Sequence, residues 1–395
     1  MAPIDIVVIG GSFAGLHIAH SVLRDVPDAK VVLINPSTNF YWNIAAPRIV
    51  AKPKAFRPEQ YFLPIKDAFA GYRPDAFEFL PGVATAIDTA AKSVSVTPNE
   101  GEPKTLSYDY LVIASGSTTS ATTGSLTGTS IPFKQSNHND MEQLIESAQE
   151  HIAGAKEIVI GGAGPIGVEL AGELAEAVEQ SGNAGKVSIT LISATDRVLP
   201  MLKSSASSAA HKLLEQKKVK VVTSKRVVGV ETPADDSSNW TVSLEGGDKI
   251  SADLYIPTTG ATPNNSFIPA QFLDKDGWVT VNKEMRVQST DGSTLPIFAA
   301  GDITNNSMRL SFKAVEQAHV AAANLKAAIV GGTAIKTYDQ GDSIMMVVPV
   351  GEAGGTGQIF GFVPFSFMVK MIKGKHYFIE KAAGALAECW YIFRQ

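Results

Sequence analysis

A glycine-rich turn between a β-branched strand and an apolar helix occurs twice in this chain, and that repetition constrains the fold more than any other feature. The first copy, "IDIVVIGGSFAGLHIAHSVL", begins at Ile4, and the second, "KEIVIGGAGPIGVELAGELA", begins at Lys156. Each opens on a short strand, bends through glycines and continues with apolar residues at helical spacing. Each is followed by another strand, "KVVLIN" and "KVSITLIS". Strand, glycine turn, helix and strand form the unit of a parallel sheet whose turn receives a dinucleotide diphosphate. A second pair of segments also repeats: "YDYLVIASGS" (Tyr108 to Ser117) and "ADLYIPTTG" (Ala252 to Gly260), each a strand running into a small-residue turn. "LPIFAAGDIT" (Leu295 to Thr304) adds one more buried strand, ending in an acid.

A chain of 395 residues exceeds what one hydrophobic core supports, since cores stop growing near ~250–300 residues. The order of the repeats predicts an α/β protein with two nested Rossmann-like dinucleotide-binding domains. The first would use residues 1–120 and resume over 255–330. The second would occupy 121–254, inserted into the first. "KSVSVTPNEGEPKTLSYD" and "NWTVSLEGGDKISAD" are expected to be meanders crossing over the two sheets. From 331 to 395 the pattern changes to "IMMVVPVGEAGGTGQIFGF" and an apolar, cationic tail, expected to form a small C-terminal α+β unit.

In a G-x-G-x-x-G turn the first glycine permits the bend, the second admits the pyrophosphate and the third lets helix pack on strand. The helix N-terminus then faces the diphosphate. In the first turn these places are held by Gly10, Ser12 and Gly15, with Gly11, Phe13 and Ala14 between them. Serine is a departure, but its hydroxyl can donate to a phosphate oxygen. The second turn is complete, with Gly162, Gly164 and Gly167 around Pro165 and Ile166. One match is weak evidence; two in strand–turn–helix context are strong. The acid that binds a ribose stands about 20 residues after such a turn. Asn35 takes that place in the first unit, an amide without charge assistance. The second unit ends its strand at Ser193, with Asp196 and Arg197 behind it. Without an acid at Ser193, and with Arg197 to pair a 2′-phosphate, NADPH is expected to serve at least as well as NADH.

The formal charge of −5 announces no basic face, so a nucleic-acid partner is not expected. The single cysteine, Cys389, permits neither an internal disulfide nor a C-x-x-C redox pair. The seven histidines show no metal-ligand spacing, so no metal site is expected. The first strand starts too early for a signal peptide, and position 2 is alanine, so neither secretion nor N-myristoylation is expected. The expectation is a cytoplasmic protein, with peripheral contact to a membrane or mitochondrion left open.

The paired turns, "YDYLVIASGS", "ADLYIPTTGATPN" and "IFAAGDIT" resemble the two-dinucleotide-domain flavoprotein reductases. "NFYWNIAAPRIV" (Asn39 to Val50) and "GQIFGFVPFSFMVKMIKGK" resemble the apoptosis-inducing-factor and ferroptosis-suppressor branch in its fungal form. Type II NADH dehydrogenases are similar but more distant. The resemblance implies FAD in the first domain and NADH or NADPH in the second. It places Gly10, Ser12 and Gly15 at the FAD diphosphate and Arg48 near its phosphates, with Asn43 in the same motif. Val83 would meet the adenine through its backbone, Ser115 and Gly116 would line the flavin side, and Asp302 would hold the ribityl chain, with Gly301 beside it at the cofactor. Glu169 matches the acid near the nicotinamide, and Gly260 closes the second unit. Lys313 is a candidate for polarising the flavin or a substrate carbonyl, with Gln317 and Arg309 in the same stretch.

A flavin carries hydride chemistry itself, so the protein supplies orientation and electrostatics. Without a cysteine pair the electrons must pass directly from flavin to a small acceptor. The first reading is an NAD(P)H:quinone oxidoreductase. Its rivals are a fungal tailoring flavoenzyme acting on one specialised metabolite, and a redox-controlled signalling factor like the apoptosis-linked relatives. The tail mixes aromatics with Lys370, Lys373 and Lys375, which suits a membrane surface or a greasy acceptor. Its alternative is core of the third unit or a dimer face, and an oligomer stays open. The 17 uncharged residues from Ala353 to Val369 are interrupted by glycine and proline and fall short of the ~20 that a spanning helix needs.

Overall fold

The computed structural model of the chain describes residues 3–136, 140–231, 239–289, 292, 294–332, 335–342 and 344–387. Cys389 and the last residues of the expected 331–395 unit lie outside them.

The first turn opens a large sheet. Its parallel core runs, in spatial order, Thr294–Ala299, Tyr110–Ile113, Ile4–Ile9, Ala29–Asn35 and Phe77–Asp88. Arg286–Gln288 flanks it antiparallel on one edge, and Ser93–Pro98 and Lys104–Ser107 continue it antiparallel on the other. The β-branched runs VVI and VVLI are buried on both faces, as a parallel strand covered by helices requires. The second turn opens a four-stranded parallel sheet ordered Lys220–Val222, Ser188–Ile192, Glu157–Gly161 and Leu254–Pro257. A three-stranded meander, Val227–Glu231, Trp240–Leu244 and Lys249–Ala252, closes a small apolar core with this sheet.

Two boundaries differ from the sequence reading. Leu254–Pro257 pairs with Glu157–Gly161, so the limit drawn between 254 and 255 cuts a strand of the second sheet. The chain leaves that sheet only after Pro257, because the strand must run its full length to place its turn beside the glycines. The tail, expected as a separate unit, has no core of its own among the described residues. Its hairpin, Met346–Pro349 with Gly355–Gln358, and its short helices place Val348, Val350, Tyr377, Ile379 and Leu386 in the apolar core that residues of both sheets share. Gly172 makes that docking possible, since a Cβ there would sit 2.7 Å from the backbone of Val350 and Gly351. Among the described residues no helix is long and apolar enough to cross a membrane.

The first turn helix, Phe13–Asp25, packs along Ser311–Val330, and His17 meets His319 between them, Nε2 to Nδ1 at 2.9 Å. Burial, reinforced by His319, Arg24 and His20, pulls the His17 pKa from 6.5 down to about 3. The unfolded chain binds a proton there that the native state refuses, so stability rises with pH across this window. It is fully present above pH 6.5 and is lost as pH falls toward 3. Melting temperature should therefore drop on acidification more steeply in wild type than in His17→Asn; equal slopes would remove His17 from the account.

Candidate functional site

Both glycine turns have the same backbone solution. Gly10 and Gly162 adopt φ of 112° and 121°, a region closed to most side chains. A Cβ on Gly15 would stand 1.8 Å from the Gly10 carbonyl oxygen, and one on Gly167 would stand 1.9 Å from that of Gly162. The third glycine of each turn is thus required by the contact of helix against strand end. The helices then begin at Phe13 and at Pro165, the latter with proline in its first turn, where its missing N–H costs nothing.

A cavity of about 560 Å³ runs from the first turn toward the second helix and the tail, a size suited to a cofactor site. It is lined by Gly10, Gly11, Ser12, Phe13 and Ala14, by Asn35, Asn43 and Val83, and by Ser115, Gly116, Gly301 and Asp302. Pro165, Ile166 and Glu169 enter from the second helix, and Met346, Lys373 and Phe378 from the tail. The fold thus brings together fifteen of the cofactor and catalytic residues expected from sequence, and Arg309 lines the same cavity. Gly15 stands behind the turn, and Gly162, Gly164, Gly167 and Gly260 lie at the end of the second sheet, outside the lining.

Asn35 shows why an amide stands in the place of an acid. Its Oδ1 accepts from the Gly11 N–H at 2.8 Å, and its Nδ2 donates to the Ser37 carbonyl at 2.7 Å. A carboxylate could take the first bond but has no proton for the second. The amide therefore braces the turn while keeping one lone pair and one N–H for a ligand.

Four residues stand apart from the expected roles. Arg48 is buried behind the cavity, where its Nε and Nη2 donate to Glu173 at 2.9 and 2.8 Å, and Nη2 and Nη1 also donate to the carbonyls of Gly374 and Lys375. A guanidinium so fully engaged is not available to a phosphate. Lys313 lies outside the lining and pairs with Glu316 at 2.8 Å. Gln317 is fully buried and accepts from the Gly301 N–H at 2.7 Å, so it holds the turn that presents Asp302 without lining the cavity itself. Arg197 turns its Nη2 back to the Pro200 carbonyl at 3.0 Å.

Two lysines do what the sequence reading did not foresee. Lys134 Nζ donates to Ser117 Oγ at 2.6 Å and pairs with Asp302, and both lysine and serine line the cavity. Nothing in the irregular segment around Lys134 advertises this; only the fold carries it there. Lys373, read as part of a cationic surface, instead turns inward to Glu169 at 2.6 Å. Burial pushes the Glu169 carboxyl up from its ordinary range, with Lys373 opposing.

Glu169 begins a ladder of three acids along one face of Pro165–Gln180. Glu173, 0% exposed, holds Arg48 and Lys52, and accepts from the Tyr377 hydroxyl at 3.3 Å. Glu176 holds Lys52 and Lys217 and accepts from the Glu352 N–H at 2.8 Å. Burial works to raise the Glu176 pKa, but these cations and the amide outweigh it and hold the group ionised below its usual value. The ladder joins the second helix to the Arg48 helix and to the tail.

The cavity fits a dinucleotide by its own chemistry. Any side chain larger than hydrogen would fill the cradle at Gly10 and Gly15, and Gln135, which lines the cavity, has a buried Nε2 with no hydrogen-bond partner among the described residues. The pyridine nucleotide-disulphide oxidoreductase family matches residues 4–324. Oxidoreductase ptaL of Pestalotiopsis fici is 38% identical over 381 residues, covering 95% of this chain and 96% of that one. Ferroptosis suppressor protein 1 of Taeniopygia guttata is 26% identical, with 96% and 95% covered. The structure of NDH2 from Plasmodium falciparum in complex with NADH superposes with a TM-score of 0.77 at 12% identity, with 99% of each chain covered, a likeness of fold.

Proposed function

Because the chain belongs to the pyridine nucleotide-disulphide oxidoreductase family, in its apoptosis-inducing-factor and ferroptosis-suppressor-like branch, with FAD and NAD(P)H as cofactors, we propose that it passes electrons from NAD(P)H to a quinone-like acceptor. The net reaction converts NAD(P)H, a proton and the quinone to NAD(P)⁺ and the hydroquinone. The observation that carries this reading is the tail's share of the cavity lining. Among the described residues the tail contributes Met345, Met346, Val347, Ile359 and Phe378, with Lys373 and without a thiol, and the chain's single cysteine cannot form a redox disulfide. A largely apolar tail lining without a thiol suits a flat acceptor and not a disulfide relay.

FAD, when bound, supplies hydride acceptance from NAD(P)H and release of electrons to the acceptor. The chain supplies position and charge. The first turn offers backbone amides and a helix N-terminus to a diphosphate. Asp302, held by Lys134 and by the turn that Gln317 fixes, presents a carboxylate to sugar-chain hydroxyls. Glu169 presents its carboxyl group to the amide of a nicotinamide, and Lys373 opposes the upward pull of burial on it.

The test begins with the colour of the purified protein. It should be yellow, bleach with NADH or NADPH under argon, and regain its colour when a soluble quinone is added. A preparation that quinones leave bleached, while oxygen restores it, would overturn the quinone reading. Lys373→Met should move the acid limb of kcat/KM to higher pH, because Glu169 then loses the charge that opposes its protonation. Glu169→Gln should abolish that limb. An unchanged profile in both variants would exclude the pair from turnover.

The 38% identity to a fungal oxidoreductase, against 26% to the ferroptosis suppressor, favours one second reading: a single specialised metabolite as acceptor. A panel of simple quinones separates the two, since an enzyme of that kind would turn all of them over poorly.

A further inference from the structure

We propose that Arg309 recognises an acceptor that carries a negative charge, a quinone bearing an ionised acidic group, at the rim of the cavity. Among the described residues three cations line that cavity, Lys134, Arg309 and Lys373, against two acids, Glu169 and Asp302. Lys134 pairs with Asp302, and Lys373 pairs with Glu169. Arg309 pairs with no carboxylate among the described residues; its side chain meets only an indole ring and a backbone carbonyl. The chain as a whole carries −5. One uncompensated positive charge on the cavity wall of an acidic protein makes that wall the place where an anion is attracted.

Packing fixes the guanidinium. Its Cζ stands 3.8 Å from the centroid of the Trp278 ring, a cation–π stack. Trp278 is buried, and its N–H donates to Asp274 Oδ1 at 2.9 Å. Val279 donates to the Ile303 carbonyl and accepts from the Asn305 N–H, each at 2.9 Å, which ties the tryptophan to the segment leading to Arg309. Arg309 has a φ of 56°, in the region that favours glycine. Its N–H is held by Ser307 Oγ at 3.1 Å, and its Nη1 reaches the Ser307 carbonyl at 3.4 Å. Strain of this kind persists where the surroundings over-determine it, and it gathers at ligand sites. Stacking covers one face of the guanidinium and leaves the in-plane edge of Nε and Nη2 without a partner among the described residues. That edge matches a pair of acid oxygens.

Position selects the occupant. Arg309 is exposed, whereas the side chains of Lys134 and Lys373 are only 16% and 13% exposed. A cofactor that stays bound gains little from a charge at the rim, while a reactant that enters on every turnover is steered and oriented by one. The diphosphate already has the amides of the first turn. Leu310 and Phe312, next along the chain, line the cavity as well and offer apolar surface to a ring system. Asn265, tied to the Gly277 carbonyl beside Trp278 by a 2.7 Å hydrogen bond, and Ser266 continue the wall. An acidic group held at Arg309 therefore leaves the rings of the same molecule against apolar side chains. That this ligand is reduced rests on the quinone reading; its recognition by Arg309 does not.

Binding and turnover test this separately. The binding probe is 2-naphthoate, an aromatic anion that reduced flavin does not reduce, titrated into the flavin-loaded protein while the flavin spectrum is followed. It should bind well, and neutral 2-naphthol far more weakly. Arg309→Met should raise the naphthoate Kd at least about tenfold, the usual effect of losing a charge-assisted pair, and Arg309→Lys should raise it less. In turnover, kcat/KM for 1,4-naphthoquinone-2-sulfonate divided by that for 1,4-naphthoquinone should fall by a similar factor in Arg309→Met. Comparing variants on the same pair of quinones cancels the difference in their own potentials. Added salt should shrink the wild-type ratio. Naphthoate bound no better than naphthol, or a ratio that Arg309→Met leaves unchanged, would overturn the proposal. So would an Arg309→Met protein that loses its flavin on gel filtration, or one whose loss lies in KM for NADH or NADPH, since the charge would then serve a cofactor. Arg309-dependent binding of naphthoate while no quinone is reduced would leave the anion site standing and sink the quinone reading.

Discussion

Gly15→Ala is expected to yield a colourless protein that stays colourless in excess FAD, whereas Gly167→Ala should remain yellow and resist bleaching by NADH or NADPH. Alanine adds one methyl group, but at Gly15 that carbon would lie 1.8 Å from the Gly10 carbonyl oxygen, and at Gly167 it would lie 1.9 Å from that of Gly162. Neither oxygen can retreat, because each belongs to the backbone of a strand end. The helix start must move instead, and with it the amides that face the diphosphate. Two equivalent lesions with different spectroscopic outcomes assign one cofactor to each turn. If Gly167→Ala loses its colour and Gly15→Ala keeps it, the assignment is reversed; if both stay yellow and bleach normally, the turns do not hold the cofactors.

Glu173→Ala is expected to destabilise the fold by about 3–5 kcal/mol, the usual loss when one partner of a buried ion pair is removed. Stability of folded domains is only about 5–15 kcal/mol, so much of the margin would go. Glu173 is 0% exposed, and its removal leaves Arg48, 3% exposed, without its ion-pair partner. Lys52 keeps Glu176. The double variant Arg48→Met/Glu173→Leu should recover most of the loss, because an apolar pair of similar volume needs no solvation. Urea midpoints of the three proteins measure both effects. A Glu173→Ala midpoint equal to wild type would mean that water reaches Arg48 and that the ladder is ornamental. The same ladder fastens the tail through the Gly374 and Lys375 carbonyls, so the variant should also loosen Lys373 from Glu169.

The first turn, the second turn and the strands beside them were legible because their signals are local. A β-branched run followed by glycines and an apolar 3.6-residue period needs no distant partner to be read. The Asp302 turn was legible for the same reason. Arg48 was misread as a phosphate ligand because its motif is local while its partner, Glu173, lies 125 residues away. Lys313 pairs with Glu316 one turn along its own helix, a choice made by which helix face meets the cavity. Lys134 was invisible, since a lysine in an irregular loop carries no pattern, and its partners Ser117 and Asp302 lie on strand ends far off in sequence. Asn35 was read correctly as a departure, but its reason, the paired bonds to Gly11 and Ser37, needed coordinates.

By itself the sequence determined that there are two dinucleotide turns, where their glycines stand, and that no cysteine pair can carry electrons. These follow from backbone sterics and from counting, both blind to what is far away. Only the tertiary structure decided which charges are buried together, which lysines face the cavity, and that the tail is built into the common core. Those outcomes depend on desolvation, which falls on a side chain according to what packs over it and leaves no trace in its neighbours along the chain.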